Sequence, residues 1–156
     1  MKNRKLEIRK EKNKTYKHDF VEKVLRDLPD WFGIEDSIIQ YADDSKDYDT
    51  FIISMDGEDL GFLTIKETSN HAIDLYCLGI LSKYRNTGLG TTLVGEVLDL
   101  YKNDFSLAHV KTLDDGIDQF YDQTIRFYES LGFMKLETIK EIWGEDNPCQ
   151  IMVRSL

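Results

Sequence analysis

At 156 residues the chain is long enough for one domain with a buried core and too short for two ordinary ones. Hydrophobic residues at 41% and charged residues at 31% are the balance of a soluble globular protein, and no apolar run approaches the ~18 residues of a membrane span. The net charge of −9 is unevenly placed: the first 17 residues hold eight Lys/Arg against two acids, leaving −15 on a body that repels nucleic acid and anionic membrane.

An acidic surface suits a cationic partner, and equally it serves solubility alone. The basic start has no apolar stretch behind it, so a secretory signal is not expected. With that, the two cysteines, Cys77 and Cys149, read as free thiols of a reducing, cytoplasmic compartment. His18, His71 and His109 match no zinc spacing, and no metal site is expected.

Leu6 and Ile8 alternate with charged residues as in a first strand. Residues 17–27 place Phe20, Val21 and Val24 at helical spacing, and Leu28-Pro29 stops that helix, because the residue before a proline is biased away from helical geometry. A second short helix spans about 34–41. The period then changes to two. TFIISM (50–55), a turn at Asp56-Gly57, and LGFLTIKET (60–68) read as a hairpin. HAIDLYCLGILS (71–82) is apolar at nearly every position except Asp74, which fits a central strand buried on both faces.

From Gly88 the period becomes 3.6, with Leu89, Leu93, Val94, Val97, Leu98 and Tyr101 on one stripe. LAHVKTL (107–113) is a strand. Residues 117–131 form a helix carrying Ile117, Phe120, Tyr121, Thr124, Phe127, Tyr128 and Leu131 on one side, ended by Gly132. Two strands close the chain, at about 133–142 and 149–155. The expected fold is a single-domain α+β sandwich over 1–156: one mixed, mostly antiparallel sheet of about seven strands with about four helices on both faces.

The stretch SKYRNTGLG (82–90) lies between the buried strand and the third helix. A helix N-terminus presents free N–H groups and the positive end of its dipole, so it attracts phosphate. Gly88 and Gly90 let the backbone approach a pyrophosphate, Arg85 adds a cation, and Thr91 or Thr92 offers a hydroxyl. A diphosphate ligand is predicted. The mononucleotide P-loop needs a longer glycine spacing and a Lys-Ser/Thr pair. The dinucleotide pattern fails at its third glycine, which is Leu93, although Asp114 follows a later strand as that pattern requires.

R-N-T-G-L-G (85–90) resembles the Q/R-x-x-G-x-G/A pyrophosphate loop of the GNAT superfamily of N-acetyltransferases, and LGILSKY (78–84) is similar to the strand end that leads into it. IRFYESLGF (125–133) resembles the family's second signature, a helix with a tyrosine followed by Gly-Phe. The resemblance covers roughly residues 50–155 by motif and the rest by element order; LPDWFGI and WGEDNPCQIMV look like a bacterial subgroup with largely unassigned substrates.

The resemblance implies an acetyl-CoA-dependent N-acetyltransferase. Backbone amides of Arg85, Asn86, Thr87, Gly88, Leu89 and Gly90 would hold the CoA pyrophosphate. The backbone of Leu78 and Ile80, where the fourth strand splays from the fifth, would pair with the pantetheine arm, and an amide near Ile80 would polarise the thioester carbonyl. Tyr128 matches the tyrosine that protonates the departing thiolate, a transfer for which a phenol, with a pKa above that of a thiol, is suited. Ser82 stands where proline is frequent, Asn86 where glycine is frequent, and Tyr121 where many members carry an asparagine that contacts CoA.

Tyr128 also lies on an apolar stripe, and on spacing alone reads as core. Asp74 reads either as a base for the incoming ammonium, directly or through water, or as a structural carboxylate; Glu67 and Glu35 are weaker candidates for the base or for binding the acceptor. Trp31 and Phe32 are an acceptor-side pair or, preferably, a hydrophobic clamp. Cys77 reads as inert packing. The acceptor would be the amine of a small molecule or peptide, cationic before it reacts, with a homodimer expected from the resemblance. Two other readings stand beside this one: a non-catalytic acyl-CoA-binding sensor or regulatory module, and a nucleotide-binding oxidoreductase.

Overall fold

The structure, a computed structural model, describes residues 4–156; Lys2 of the basic start lies outside the described residues. Strand β1 (Leu6–Glu11) is followed by helices α1 (Lys14–Arg26) and α2 (Glu35–Ser45), then by strands β2 (Asp49–Met55), β3 (Glu58–Glu67) and β4 (Ala72–Ile80). After a single 3-10 turn at Ser82–Tyr84 come α3 (Leu89–Tyr101), β5 (Leu107–Leu113), α4 (Gln119–Ser130), β6 (Met134–Ile139) and β7 (Cys149–Ser155). The seven strands form one mixed sheet in the order β1-β2-β3-β4-β5-β7-β6. This is the predicted order of elements. The insertion of the last strand, β7, between β5 and β6 is a tertiary result that no periodicity announces.

Several boundaries differ from expectation for local reasons. Helix α1 begins one turn earlier than predicted because the Asn13 side chain accepts from the Tyr16 amide at 2.9 Å and caps it. Helix α2 runs to Ser45, a turn beyond the expected end. Ile117 is outside α4 and 53% exposed; the helix starts after Asp118, whose Oδ1 accepts from the Phe120 and Tyr121 amides. The position that α4 buries with Tyr128 is Ile125, three residues before it. The Asp56-Gly57 turn has φ of 52° and 84°, left-handed at both positions as a tight hairpin between β2 and β3 requires.

The chain divides into two compact units: residues up to Lys66 with Cys77–Val97, and Glu67–Tyr76 with Leu98–Leu156. In the first unit β1 pairs antiparallel with β2, and β2 with β3. The basic start is neutralised here. Arg9 holds Asp59 through two parallel bonds of 2.8 and 3.0 Å, Tyr16 donates to the same carboxylate, Lys10 meets Asp49 at 3.2 Å, and the buried Lys17 donates to the Tyr48 carbonyl at 2.9 Å. Such a bidentate guanidinium–carboxylate pair is the stronger kind of ion pair. Arg9 and Lys17 are thus committed within their own unit, while Arg4, Lys5, Lys10, Lys12 and Lys14 stay exposed.

Helix α1 packs on β4 without an intervening side chain on the strand. A Cβ on Gly79 would stand 2.8 Å from the Val24 Cγ1 and 3.1 Å from the Phe62 ring. On the neighbouring strand, a Cβ on Gly61 would stand 2.7 Å from the Gly79 carbonyl and 2.4 Å from the Ile80 Cδ1. Both glycines are close-approach positions rather than turns.

In the second unit β5 pairs along its full length with β7, antiparallel, and β7 with β6. The parallel ladder with β4 covers only Ala72–Asp74 against Leu107–His109, the first three residues of β5. Tyr128 and Phe133 stack edge to face at 5.5 Å and are both buried, which seats the C-terminal end of α4. Cys77 and Cys149 are buried free thiols; burial pushes Cys77 far up, and Cys149 up to about 11, so neither supplies a thiolate near neutrality.

Gly61→Ala should lower stability by about 1–3 kcal/mol, the usual effect of overpacking, because the Gly79 carbonyl cannot swing aside as a side-chain tip would. Urea unfolding of the two proteins checks this, with an unchanged midpoint contradicting the close approach.

Candidate functional site

The site is built from the end of β4 outward. The Leu81 amide donates to the Leu60 carbonyl of β3 at 2.9 Å. In an antiparallel pair, residues whose N–H and C=O face the partner alternate with residues that face away. Leu81 is of the first kind, its amide turned toward β3. Leu78 and Ile80, assigned to a ligand arm from the sequence, lie among the last three residues of β4.

Beyond β4 the chain makes the 3-10 turn and reaches Arg85 in extended conformation. Asn86 (φ 59°) and Gly88 (φ 85°) then adopt left-handed backbone, and the Thr87 hydroxyl donates to the Tyr84 carbonyl. Asparagine is among the few side-chain-bearing residues that tolerate this region, and glycine enters it freely. A Cβ on Gly88 would meet nothing within 4 Å, so this glycine is required by its backbone angle and faces open space. Leu89 opens α3 as its buried anchor, with Gly90 half-buried and Thr91 exposed. The first turn of α3 directs amides that have no partner within the helix at the loop they follow. Turn, glycine and helix start thus form the backbone cradle that a pair of phosphates fits.

Arg85 does not project alone. Its guanidinium lies over the Trp31 ring, 4.2 Å from the centroid, a cation–π stack that orients the charge. Phe32 meets Tyr41 edge to face at 6.0 Å. The residues read as a hydrophobic clamp thus divide: Phe32 fixes the α1–α2 connection, and Trp31 carries the loop arginine. Glu35 is engaged by Arg26 through bonds of 2.6 and 2.8 Å, which hold its carboxyl below the ordinary range, so it is committed to a structural pair. Glu67 is exposed at the end of β3.

Asp74 is 4% exposed and has two basic neighbours on β5, the Lys111 ammonium at 3.6 Å and the His109 Nδ1 at 3.8 Å. The His109 Nε2 in turn lies 2.8 Å from the Thr68 hydroxyl. Opposite charge is what a buried carboxylate requires, and β5 supplies it. The alternation His109-Val110-Lys111 was the available signal: in a strand it places two basic groups on one face. Asp74 stands four and six positions before Leu78 and Ile80 in β4. Tyr128 is 4% exposed, between the rings of Phe127 and Phe133, and Tyr121 is half-buried in the first turn of α4. Sequence reasoning missed Asp27, whose Oδ2 accepts from the Ser82 amide at 2.7 Å. An acid at the C-terminal end of a helix, against the dipole, was its one signal.

The profile of the Acetyltransferase (GNAT) family matches residues 7–133, and the chain belongs to that family. Solved structures agree on the fold. A GNAT-family protein from Desulfovibrio desulfuricans superposes with a TM-score of 0.82 at 18% identity, covering 97% of this chain and 99% of that one. Naa50 of Arabidopsis thaliana, in complex with the bisubstrate analogue CoA-Ac-MVNAL, gives 0.73 at 18% identity over 97% and 99%. An aminoglycoside 6'-N-acetyltransferase complexed with coenzyme A gives 0.72 at 19% identity over 96% of each chain. No curated protein matched the sequence. Among the described residues, no helix is long and apolar enough to cross a membrane, and no group of three or more His, Cys, Asp or Glu is placed to hold a metal.

Burial lowers the His109 imidazole below its ordinary value of 6.5; Asp74 opposes the shift and Lys111 adds to it. Between the lowered value and about 6.5 the unfolded chain binds more protons than the folded one, so the stability this group contributes rises with pH across that window and levels off on either side of it. Urea midpoints at about pH 5 and about pH 8 should therefore differ less in His109→Gln than in the parent protein, and an equal difference in both would contradict this coupling.

Proposed function

We propose that the chain is an acetyl-CoA-dependent N-acetyltransferase that passes the acetyl group to a primary amine of a small molecule or peptide by direct attack in a ternary complex. The observation that carries this reading is the run from the end of β4, through the left-handed Asn86 and Gly88, to the start of α3. Amides of Arg85–Gly90 hold the pyrophosphate, and Leu78 and Ile80 pair with the pantetheine arm, the Ile80 amide also polarising the thioester carbonyl. Bound acetyl-CoA supplies an activated acyl group with a thiolate as leaving group. Family membership and the CoA named in two of the superposed complexes support this choice of ligand.

Attack needs a neutral amine. Asp74, or water, takes the ammonium proton, and Tyr128 returns one to the departing sulfur. The ammonium gives up two protons in all. The first goes to Asp74 or water before attack, and the second, lost as the C–N bond forms and the C–S bond breaks, returns through water to Tyr128 in place of the one given to sulfur. The acidic body, −15 after the first 17 residues, suits an acceptor that arrives as a cation. The two free thiols support a reducing, cytoplasmic setting.

The burial of Tyr128 between two phenylalanine rings and the engagement of Asp74 with β5 favour a second reading, a non-catalytic acyl-CoA-binding module. Calorimetry with acetyl-CoA, with NAD and ATP as controls, comes first. Acetyl-CoA alone should bind, and Gly88→Glu should abolish binding by placing a bulky anion at a left-handed position in the cradle. Preference for NAD would sink both readings.

Tyr128→Phe keeps the ring packing and removes only the hydroxyl. In an amine-acceptor screen it should retain acetyl-CoA binding and lose about 10²-fold or more in turnover, the scale of a lost general acid. Unchanged turnover would remove Tyr128 from the mechanism, and acetyl-CoA binding without turnover on any amine would favour the binding module.

A further inference from the structure

The connection between α1 and α2, residues 27–34, is braced at several points of the first unit. Arg26 and Glu35 close its base with their paired bonds of 2.6 and 2.8 Å. Leu28 is buried, and its Cδ1 stands 3.4 Å from where a Cβ on Gly79 would be. The Trp31 and Phe32 amides both donate to the Leu28 carbonyl, at 3.1 and 3.0 Å, and Phe32 packs against Tyr41. These contacts restrain a segment that would otherwise be an eight-residue surface loop.

From that braced segment two side chains reach the loop after β4. The Asp27 carboxylate accepts the Ser82 amide at 2.7 Å, a charge-assisted bond on the first residue of the 3-10 turn. The Trp31 ring lies under the Arg85 guanidinium at 4.2 Å, at the residue where the turn gives way to extended chain. The loop is thus gripped at both ends of the turn just before Asn86 and Gly88 take up their left-handed angles. Left-handed backbone and a row of converging amides are costly to assemble at the moment of binding, and an outside brace assembles them beforehand.

We infer that Asp27 and Trp31 are positioning residues that preset the diphosphate loop, so that affinity for CoA is controlled from the α1–α2 connection. The loop's ligand is taken from the function proposed above; its bracing stands on the contacts alone. Neither residue needs to touch the ligand. Asp27 acts through the Ser82 amide, and Trp31 through the orientation of Arg85.

The test uses the full chain and four variants: Asp27→Ala, Asp27→Asn, Trp31→Ala and Trp31→Phe. Amide hydrogen exchange over residues 82–88 is measured on the free proteins, and the Kd for acetyl-CoA by calorimetry. Both alanine variants should speed exchange over 82–88 while leaving the interior of β4 protected, and each should weaken acetyl-CoA binding about tenfold, the scale of one lost charge-assisted bond or stack. Asn keeps an acceptor oxygen and Phe keeps a π face, so these variants should fall between alanine and the parent in both measurements. That graded order is what a merely destabilised fold would not produce, and it remains readable between parent and conservative variants if an alanine variant fails to fold. Unchanged exchange over 82–88, or a Kd within twofold of a parent that does bind, would overturn the inference. A parent that fails to bind acetyl-CoA would sink the proposed function, and the exchange data would still decide whether Asp27 and Trp31 brace the loop.

Discussion

The candidate site depends on how closely other backbone is allowed to approach β4. At Gly79 the strand has no side chain, and α1 settles directly on it through Val24, with Leu28 of the following connection beside it; at Gly61 the neighbouring strand also has none, and it closes on Gly79 and Ile80. Interiors are packed densely enough that one methyl at either position has no room. This contact sets the height of the strand end and the place at which the C-terminal end of α1 can present Asp27 to Ser82. The loop after the strand inherits its starting point from two missing side chains.

Electrostatics is handled locally rather than by net charge. A chain of −9 with a strongly basic start suggests a dipolar molecule with a display patch. The fold sets Arg9, Lys10 and Lys17 against Asp59, Asp49 and the Tyr48 carbonyl, so part of the basic run ties β1 and α1 to β2, β3 and the connection before β2. Asp74 illustrates the same economy in the second unit. A carboxylate inside an apolar strand is tolerated because the next strand alternates His109 and Lys111 toward it. That pairing is also the feature that sets a structural role for Asp74 against a role as base.

Much of the fold was legible because it follows from short-range rules. Period-two and period-3.6 patterns located the seven strands and four helices in the correct order, and Asp56-Gly57 located the hairpin turn with its left-handed angles. The left-handed loop after β4 was legible for the same reason: Asn86 and Gly88 are residues whose backbone freedom is visible in one letter. The errors lie in one helix face, since α4 buries Ile125 outside the expected stripe, and in element ends. The Asn13 cap extends α1 by a turn, and the Asp118 cap leaves Ile117 outside α4, since side-chain capping outweighs the apolar pattern at a terminus.

The sequence by itself determined the element order, the family, the left-handed loop and the buried strand that leads into it, because each is written in the identity or spacing of neighbouring residues. Tertiary structure alone decided that β7 lies between β5 and β6, that β4 pairs with β5 for only three residues, and that Trp31 lies under Arg85 while Asp27 accepts from Ser82. These partners stand about fifty-five residues apart in the chain. Contacts at that separation are chosen by which faces pack together, a property of the assembled sheet and helices that no local pattern encodes.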